Sequence, residues 1–258
     1  MNYYQITLCY KGTHYLGWQN QITPLKTIQG TLEFALKNIC HSDQVKSIGS
    51  GRTDAGVHAL AQEVKIEIPL EISCIGLQKA LNSHLPQDIR VLNVVTCSAQ
   101  FNPTYDAVWK EYVYLFSLEE IVNPFGGDLM VFHPYKLDIE LMQKACALFI
   151  GKHDFINFQC VGTEVKSTVR EIFHCRLTAE KNTSSFLSQI IPAHFMFEVQ
   201  GSGFLKQMVR LMVGSLWAVG QGKLSLEELQ KHLKEKQDKR PGIVAPPHGL
   251  YLKKVNYS

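Results

Sequence analysis

SIGSGRTDAGVHALAQ (residues 47–62) leads into VKIEI (64–68), and the alternation on either side of the glycines predicts two short strands with a loop between them. Three glycines, Gly49, Gly51 and Gly56, crowd one charged run, Arg52-Thr53-Asp54, and Val57-His58 follows at once. Glycines this dense let the backbone take conformations closed to other residues and let a ligand approach it closely. Outward from this hairpin, Tyr3–Tyr10 alternates and is rich in aromatic and β-branched residues, which predicts a strand. TIQGTLEFALKNIC (27–40) sets Ile28, Leu32, Ala35, Leu36 and Ile39 at helical spacing. Past the hairpin, Ser73–His84 predicts a second helix and Arg90–Thr96 another strand. The order is β-α-β-β-α-β.

The remainder repeats that plan. KEYVYLFS (110–117) predicts a strand, and DIELMQKACALFI (138–150) an amphipathic helix. Arg170–Ala179 and His194–Gln200 predict strands, Gly203–Gly220 a long apolar helix, Ser225–Lys236 a short helix, and Gly249–Asn256 a closing strand. No residue-level repeat accompanies the shared order. The expected class is therefore α+β: two ferredoxin-like (βαββαβ) halves with mostly antiparallel sheets and a central basic cleft. The expected halves are residues 1–104, which carry the Asp54 loop, and 105–258, which carry the Tyr112 strand and the Arg210 helix. Sheets of this topology are common RNA platforms, but the topology hosts many functions, so function has to come from the site.

Composition bounds the classes. Hydrophobic residues make up 45% of the 258 and charged residues 19%, an ordinary globular balance. No apolar run reaches the length that spans a bilayer, and MNYYQITLCYKG lacks the basic start and apolar core of a signal peptide. Seven cysteines are scattered singly with no C-x-x-C pair, which argues against a disulfide framework or a zinc site and for a reducing cytoplasm. The net charge is +3, but residues 201–258 hold ten Lys/Arg against four Asp/Glu, leaving sixteen against nineteen in residues 1–200. A basic C-terminal region is either a footprint for a phosphate backbone or a solvated helical face such as KHLKEKQDKR.

Several readings of the loop compete. Asp54 can cap a turn, with Arg52 solvated nearby. A phosphate-binding loop would need G-x-x-x-x-G-K-[ST] or G-x-G-x-x-G spacing, and neither is present. His58 and Asp54 stand at i, i+4, but no second ligand cluster accompanies them, so a metal site is weak. The remaining reading is a carboxylate used as nucleophile or base, kept ionised by a neighbouring cation. Arg52, two residues away, shares a face with Asp54 if the segment is extended. In GFLKQMVRLMVGSLWAVG the polar residues Lys206, Gln207 and Arg210 form one helical stripe. Arg210 either snorkels to solvent or a structural partner, or meets Asp54 across a cleft. Tyr112 and Tyr114 alternate onto one strand face, either as packing or as a surface on which a base stacks.

These residues resemble the tRNA pseudouridine synthase A family. GRTDAGVH (51–58) is similar to its signature, with Asp54 at the position of the catalytic aspartate. The similarity continues in order through YKGTHYLGWQ (10–19), LNSHLPQDIRV (81–91), KEYVY (110–114), GKHDFINF (151–158), STVREI (167–172), GFLKQMVRLMVGSL (203–216) and APPHGLYLKKVNY (245–257). It covers essentially the whole chain. The resemblance implies two ferredoxin-like halves and a cofactor-free isomerisation of uridine to pseudouridine at positions thirty-eight to forty of the tRNA anticodon arm. It implies a homodimer with one tRNA contacting both subunits. Asp54 would begin cleavage of the N-glycosidic bond as nucleophile or base, and Tyr112 would stack on the target base. Arg210 and Arg52 would pair with Asp54 and hold the flipped nucleotide. Lys110, Arg170, Lys206 and His58 are the further candidate RNA contacts. No nucleotide cofactor, metal or membrane is expected.

Two positions depart from the family pattern. FNPTY (101–105) has Thr104 where the family carries arginine, and EVKIEI has Ile66 where an aromatic is expected. The rival from another class is a non-catalytic tRNA-binding or folding protein on the same fold. Retention of Asp54, Arg52, Tyr112 and Arg210 together argues against it, because binding alone needs no carboxylate beside phosphates. An aspartate-dependent hydrolase of a small substrate would show no salt-sensitive tRNA binding.

Overall fold

Alternate residues of the first strand, Tyr4, Ile6, Leu8 and Tyr10, point inward and are buried, so the Asn2–Tyr10 pattern makes β1. The computed structural model describes the whole chain except residues 22, 24–25, 123, 161, 163–164, 181–189 and 258. It divides into two compact units, one of Met1–Val108 with Tyr251–Ser258, the other Trp109–Leu250.

In the first unit β1 is followed by α1 (Ile28–Cys40), β2 (Lys46–Gly49), β3 (His58–Ile68), α2 (Cys74–His84) and β4 (Ile89–Thr96). Thr27 starts α1 by accepting the Gly30 amide at 3.1 Å, and Ser73 starts α2 by accepting that of Gly76 at 3.1 Å. Each helix turns an apolar stripe to the sheet: Ile28, Leu32 and Leu36 from α1, Leu77 and Leu81 from α2. β1 pairs antiparallel with β3 on one side and β4 on the other, and β2 pairs antiparallel with β3. The strand order is thus β4-β1-β3-β2. Ile66, in the aromatic's place, is fully buried on β3.

The second unit holds β5 (Trp109–Ser117), β6 (Val131–Phe132), α3 (Ile139–Leu148), β7 (Gly151–Asp154), β8 (Val169–Glu180), β9 (His194–Gly201), α4 (Met208–Gly220) and α5 (Leu226–His232). β5, β9, β8 and β7 pair in that order, all antiparallel, and β6 adds in parallel to β5. α4 is buried nearly all round, with Leu211, Met212, Val213, Leu216 and Trp217 in the core. Gly214 lets another segment cross it: a Cβ there would stand 1.8 Å from the Ile243 carbonyl oxygen.

Three expectations are corrected. The closing strand, β10 (Leu250–Asn256), groups with the first unit rather than finishing the second, and pairs in parallel with β3 through Tyr251 and Leu252. Alternation marks a strand but not its partner, so the expected second half, 105–258, includes a segment that belongs elsewhere. The expected helix from Gly203 begins only at Met208, because Gln207 is left-handed (φ 65°) and ends the preceding turn. Lys206, Gln207 and Arg210 therefore form no helical stripe. β6 and β7 are short, two and four residues, and their patterns were too brief to read. Among the described residues no helix is long and apolar enough to cross a membrane.

Candidate active site

The Asp54 loop occupies the gap between β2 and β3, and the hairpin alone does not shape it. At its base the Ser50 amide donates to the Glu63 carbonyl at 2.7 Å and the Ser50 hydroxyl to Gln62 Oε1 at 3.0 Å. The Gln62 amide donates in turn to the Gly51 carbonyl at 2.6 Å. The rest of the loop is braced by the N-terminal segment 10–18. The Thr53 carbonyl accepts the Trp18 amide at 3.1 Å, the Gly56 amide donates to the Tyr15 carbonyl at 3.1 Å, and the hydroxyls of Tyr10 and Thr53 meet at 2.8 Å inside the protein. The approach is so close that a Cβ on Gly12 would lie 1.9 Å from the Val57 carbonyl oxygen. One on Gly17, at φ +98°, would lie 2.6 Å from that of Thr53. These contacts leave Thr53 buried, Asp54 half-buried and Arg52 exposed.

Two expectations change here. Of the loop glycines, Gly49 makes room for the Trp18 indole, 2.7 Å from where its Cβ would be, and Gly56 takes φ +77°. Both serve the protein's own packing and turn rather than a ligand. Arg52 does not pair with Asp54: it is exposed and, among the described residues, forms no ion pair.

His58 was expected among the substrate contacts and is instead structural. It is 1% exposed, its Nδ1 accepts the Gly12 amide at 3.0 Å, and its ring stacks on Tyr251 of β10 at 4.7 Å. An Nδ1 that accepts a hydrogen bond carries no proton, so the ring is neutral and protonated on Nε2.

In the second unit β5 presents Lys110, Tyr112 and Tyr114 on one face. Tyr114 is core: fully buried, edge-on to Trp217 at 5.8 Å, its hydroxyl donating to the Pro246 carbonyl at 2.8 Å. Tyr112 sits nearer the rim, 8% exposed and edge-on to Phe204 at 5.0 Å. Lys110 lies opposite Gly201 of β9, which has no side chain to separate it from β8. Arg170 of β8 donates to the carbonyls of Ser167 at 2.8 Å and Val169 at 2.7 Å. Burial, and then the charge of Arg170, pulls the Lys110 ammonium down to about 8. Burial also lowers Arg170. The structure thus brings Lys110, Arg170, Tyr112 and Phe204 together. Lys206 is exposed on the turn before α4 and contributes its carbonyl to the Cys160 amide at 3.0 Å.

Arg210 lies in the first turn of α4, half-buried, its Nε donating to the Ala245 carbonyl at 2.7 Å. The Ala245 amide returns a bond to the Arg210 carbonyl at 3.2 Å. The APPHGLY segment therefore holds this guanidinium in place. His248, in the same segment, is held low by burial and by Arg210, against the opposing charge of Asp128. Among the described residues no three His, Cys, Asp or Glu side chains gather as a metal site.

Several contributors went unread in the sequence: Tyr10, Thr53 and Gln62 behind the loop, Phe204 beside Tyr112, and Ala245 on Arg210. The two glycines and three aromatics of YKGTHYLGWQ were the available signal for the brace. Gln62 carried none.

The tRNA pseudouridine synthase family model matches residues 8–106 and 145–258. The chain is 38% identical to tRNA pseudouridine synthase A of Exiguobacterium sibiricum, over 100% of this chain and 97% of that one. It is 40% identical to that of Bacillus pumilus, over 97% of each. With that of Lacticaseibacillus casei it shares 34% identity over 100% of both. The braced aspartate loop and the arginine helix fall inside the family model's matched regions, the tyrosine strand falls between them but within the full-length similarity to the relatives, and the chain belongs to the tRNA pseudouridine synthase A family of isomerases.

Proposed function

We propose that this protein isomerises uridine to pseudouridine in the anticodon arm of tRNA, at one or more of positions thirty-eight to forty, and works in the cytoplasm as a homodimer. The observation that carries the reading is the Asp54 loop, held from behind by Tyr10, Gly12, Gly17 and Trp18 so that one carboxylate is presented from a rigid frame. A preorganised carboxylate suits either attack on the ribose or removal of a proton from it. The N1–C1′ bond breaks, the uracil turns, C5 bonds to C1′, and the C5 proton leaves to solvent while N1 gains one. No electron is gained or lost overall, so the reaction itself demands no redox cofactor.

In this reading Asp54 starts the cleavage and Arg210 is its charge partner. Tyr112 stacks on the extruded base. Lys110, Arg170 and Lys206 contact the RNA, and Arg52, exposed on the loop, holds the flipped nucleotide. Extrusion costs a few kcal/mol, offset by stacking and phosphate contacts.

The test uses tRNA transcript labelled with tritium at uridine C5, with no added cofactor or metal. The protein should release tritium to water with turnover, and Arg210→Ala should lose far more turnover than affinity. Tight, salt-sensitive binding without tritium release would replace the isomerase with a tRNA-binding protein.

A further inference from the structure

The turn that follows β4 has no part in the reading above, and its FNPTY run holds one of the two departures from the family pattern. Its backbone is tied down locally. Asn102 Oδ1 accepts the amides of Thr104 at 3.0 Å and Tyr105 at 3.2 Å, and Asp106 Oδ2 accepts that of Asn102 at 2.8 Å. It is also tied to the base of the Asp54 loop. Thr104, in the arginine's place, donates its hydroxyl to the Gly49 carbonyl at 2.9 Å. The Tyr257 hydroxyl donates to the Pro103 carbonyl at 2.8 Å and interacts with Ser50, and its ring meets Phe101 edge-on at 5.2 Å. Around this pinned backbone one side chain is left outside: Tyr105 is 84% exposed, more than any other large apolar or aromatic side chain among the described residues.

We propose that Tyr105 is a stacking platform for an unpaired base of the RNA, beside the uridine presented to Asp54. The inference rests on the tRNA reading of the protein. A single exposed tyrosine is ordinary on a surface; here its backbone is immobilised on the Gly49–Ser50 corner from which the Asp54 loop springs. With the backbone already fixed, a base that covers the ring costs mainly the ring's own side-chain freedom. Charge selects the base over the backbone. Residues 101–106 contain no cation, and Asp106 adds a carboxylate, so a phosphate would be repelled where a π face is not. The family's arginine would favour the phosphate; the Thr104 anchor leaves the neighbouring ring as the available contact.

The experiment measures tRNA affinity and pseudouridine formation for wild type, Tyr105→Ala and Tyr105→Phe across a salt series. Melting temperatures serve as a fold control. Loss of one stacked base weakens binding about 5- to 100-fold. Tyr105→Ala should show that loss equally at every salt concentration, because no phosphate contact is removed. Tyr105→Phe, which keeps the ring, should bind as wild type does. Undiminished binding by Tyr105→Ala, beside active wild type, overturns the inference alone. So does a loss that shrinks the salt slope, which would mean a phosphate contact, or an equal loss in Tyr105→Phe, which would mean a hydroxyl contact. Wild type that neither binds nor modifies tRNA overturns the functional reading, and the inference with it.

Discussion

Tyr10 ends β1 with its ring 2% exposed and its hydroxyl on that of Thr53, one residue before Asp54. Removing the hydroxyl in Tyr10→Phe should cost roughly 0.5–1.5 kcal/mol of stability, the net worth of one neutral hydrogen bond. The larger effect should fall on chemistry, since a loop misplaced by a fraction of an ångström can lower turnover roughly 10- to 100-fold. Single-turnover rates with tRNA, alongside Kd, would separate the two. A buried tyrosine that only positions Asp54 should leave Kd unchanged, and a parallel loss in Kd would contradict that role. Lys110 makes a prediction of different kind. Its folded pKa of about 8 lies below the ordinary 10.5, so between those values the unfolded chain binds more protons and stability rises with pH. Lys110→Met removes that charged-form penalty. Its gain over wild type should be greatest below about pH 8 and fade toward pH 10.5, as urea denaturation at both ends of the range would measure. A gain that does not change with pH would mean Lys110 is not desolvated. Asp54, Tyr112, Lys110 and Arg170 became candidates as single residues because each stands in a marked sequence pattern. The packing of His58 was not legible: it stood among the expected RNA contacts, and only tertiary contact with Gly12 and Tyr251 shows the ring used as a strut.

At the scale of elements, α4 provides the sharpest contrast between propensity and packing. Gly to Ala within a helix ordinarily gains up to about 1 kcal/mol. In Gly214→Ala the new methyl would stand 1.8 Å from the Ile243 carbonyl oxygen, a backbone atom that cannot swing aside. The sign should therefore reverse, with a loss of roughly 1–3 kcal/mol as for an overpacked core. Denaturant midpoints would measure it, and a stabilised variant would show that the 242–245 segment yields easily. Strands and helices were mostly legible because alternation and helical spacing are local properties. The start of α4 was not, since Phe204 and Leu205 continue the apolar run while the left-handed Gln207 interrupts it. The partner of β10 was hidden for a related reason: pairing with β3 depends on residues two hundred positions away.

For the whole molecule, interspersed helices and mostly antiparallel strands make the expected α+β class, although the second unit does not repeat the order of the first, and the family similarity spans the full length. Charge is distributed unevenly, with the basic excess confined to residues 201–258, which fits a polyanionic substrate engaged through phosphates. The central claim is that Asp54 on its braced loop carries out the isomerisation. Its most direct test maps pseudouridine by carbodiimide-dependent primer-extension stops in an unmodified tRNA transcript, comparing wild type with Asp54→Ala. The account predicts stops in the anticodon arm with wild type, none with Asp54→Ala, and similar tRNA affinity for both. Stops that persist in Asp54→Ala would contradict it.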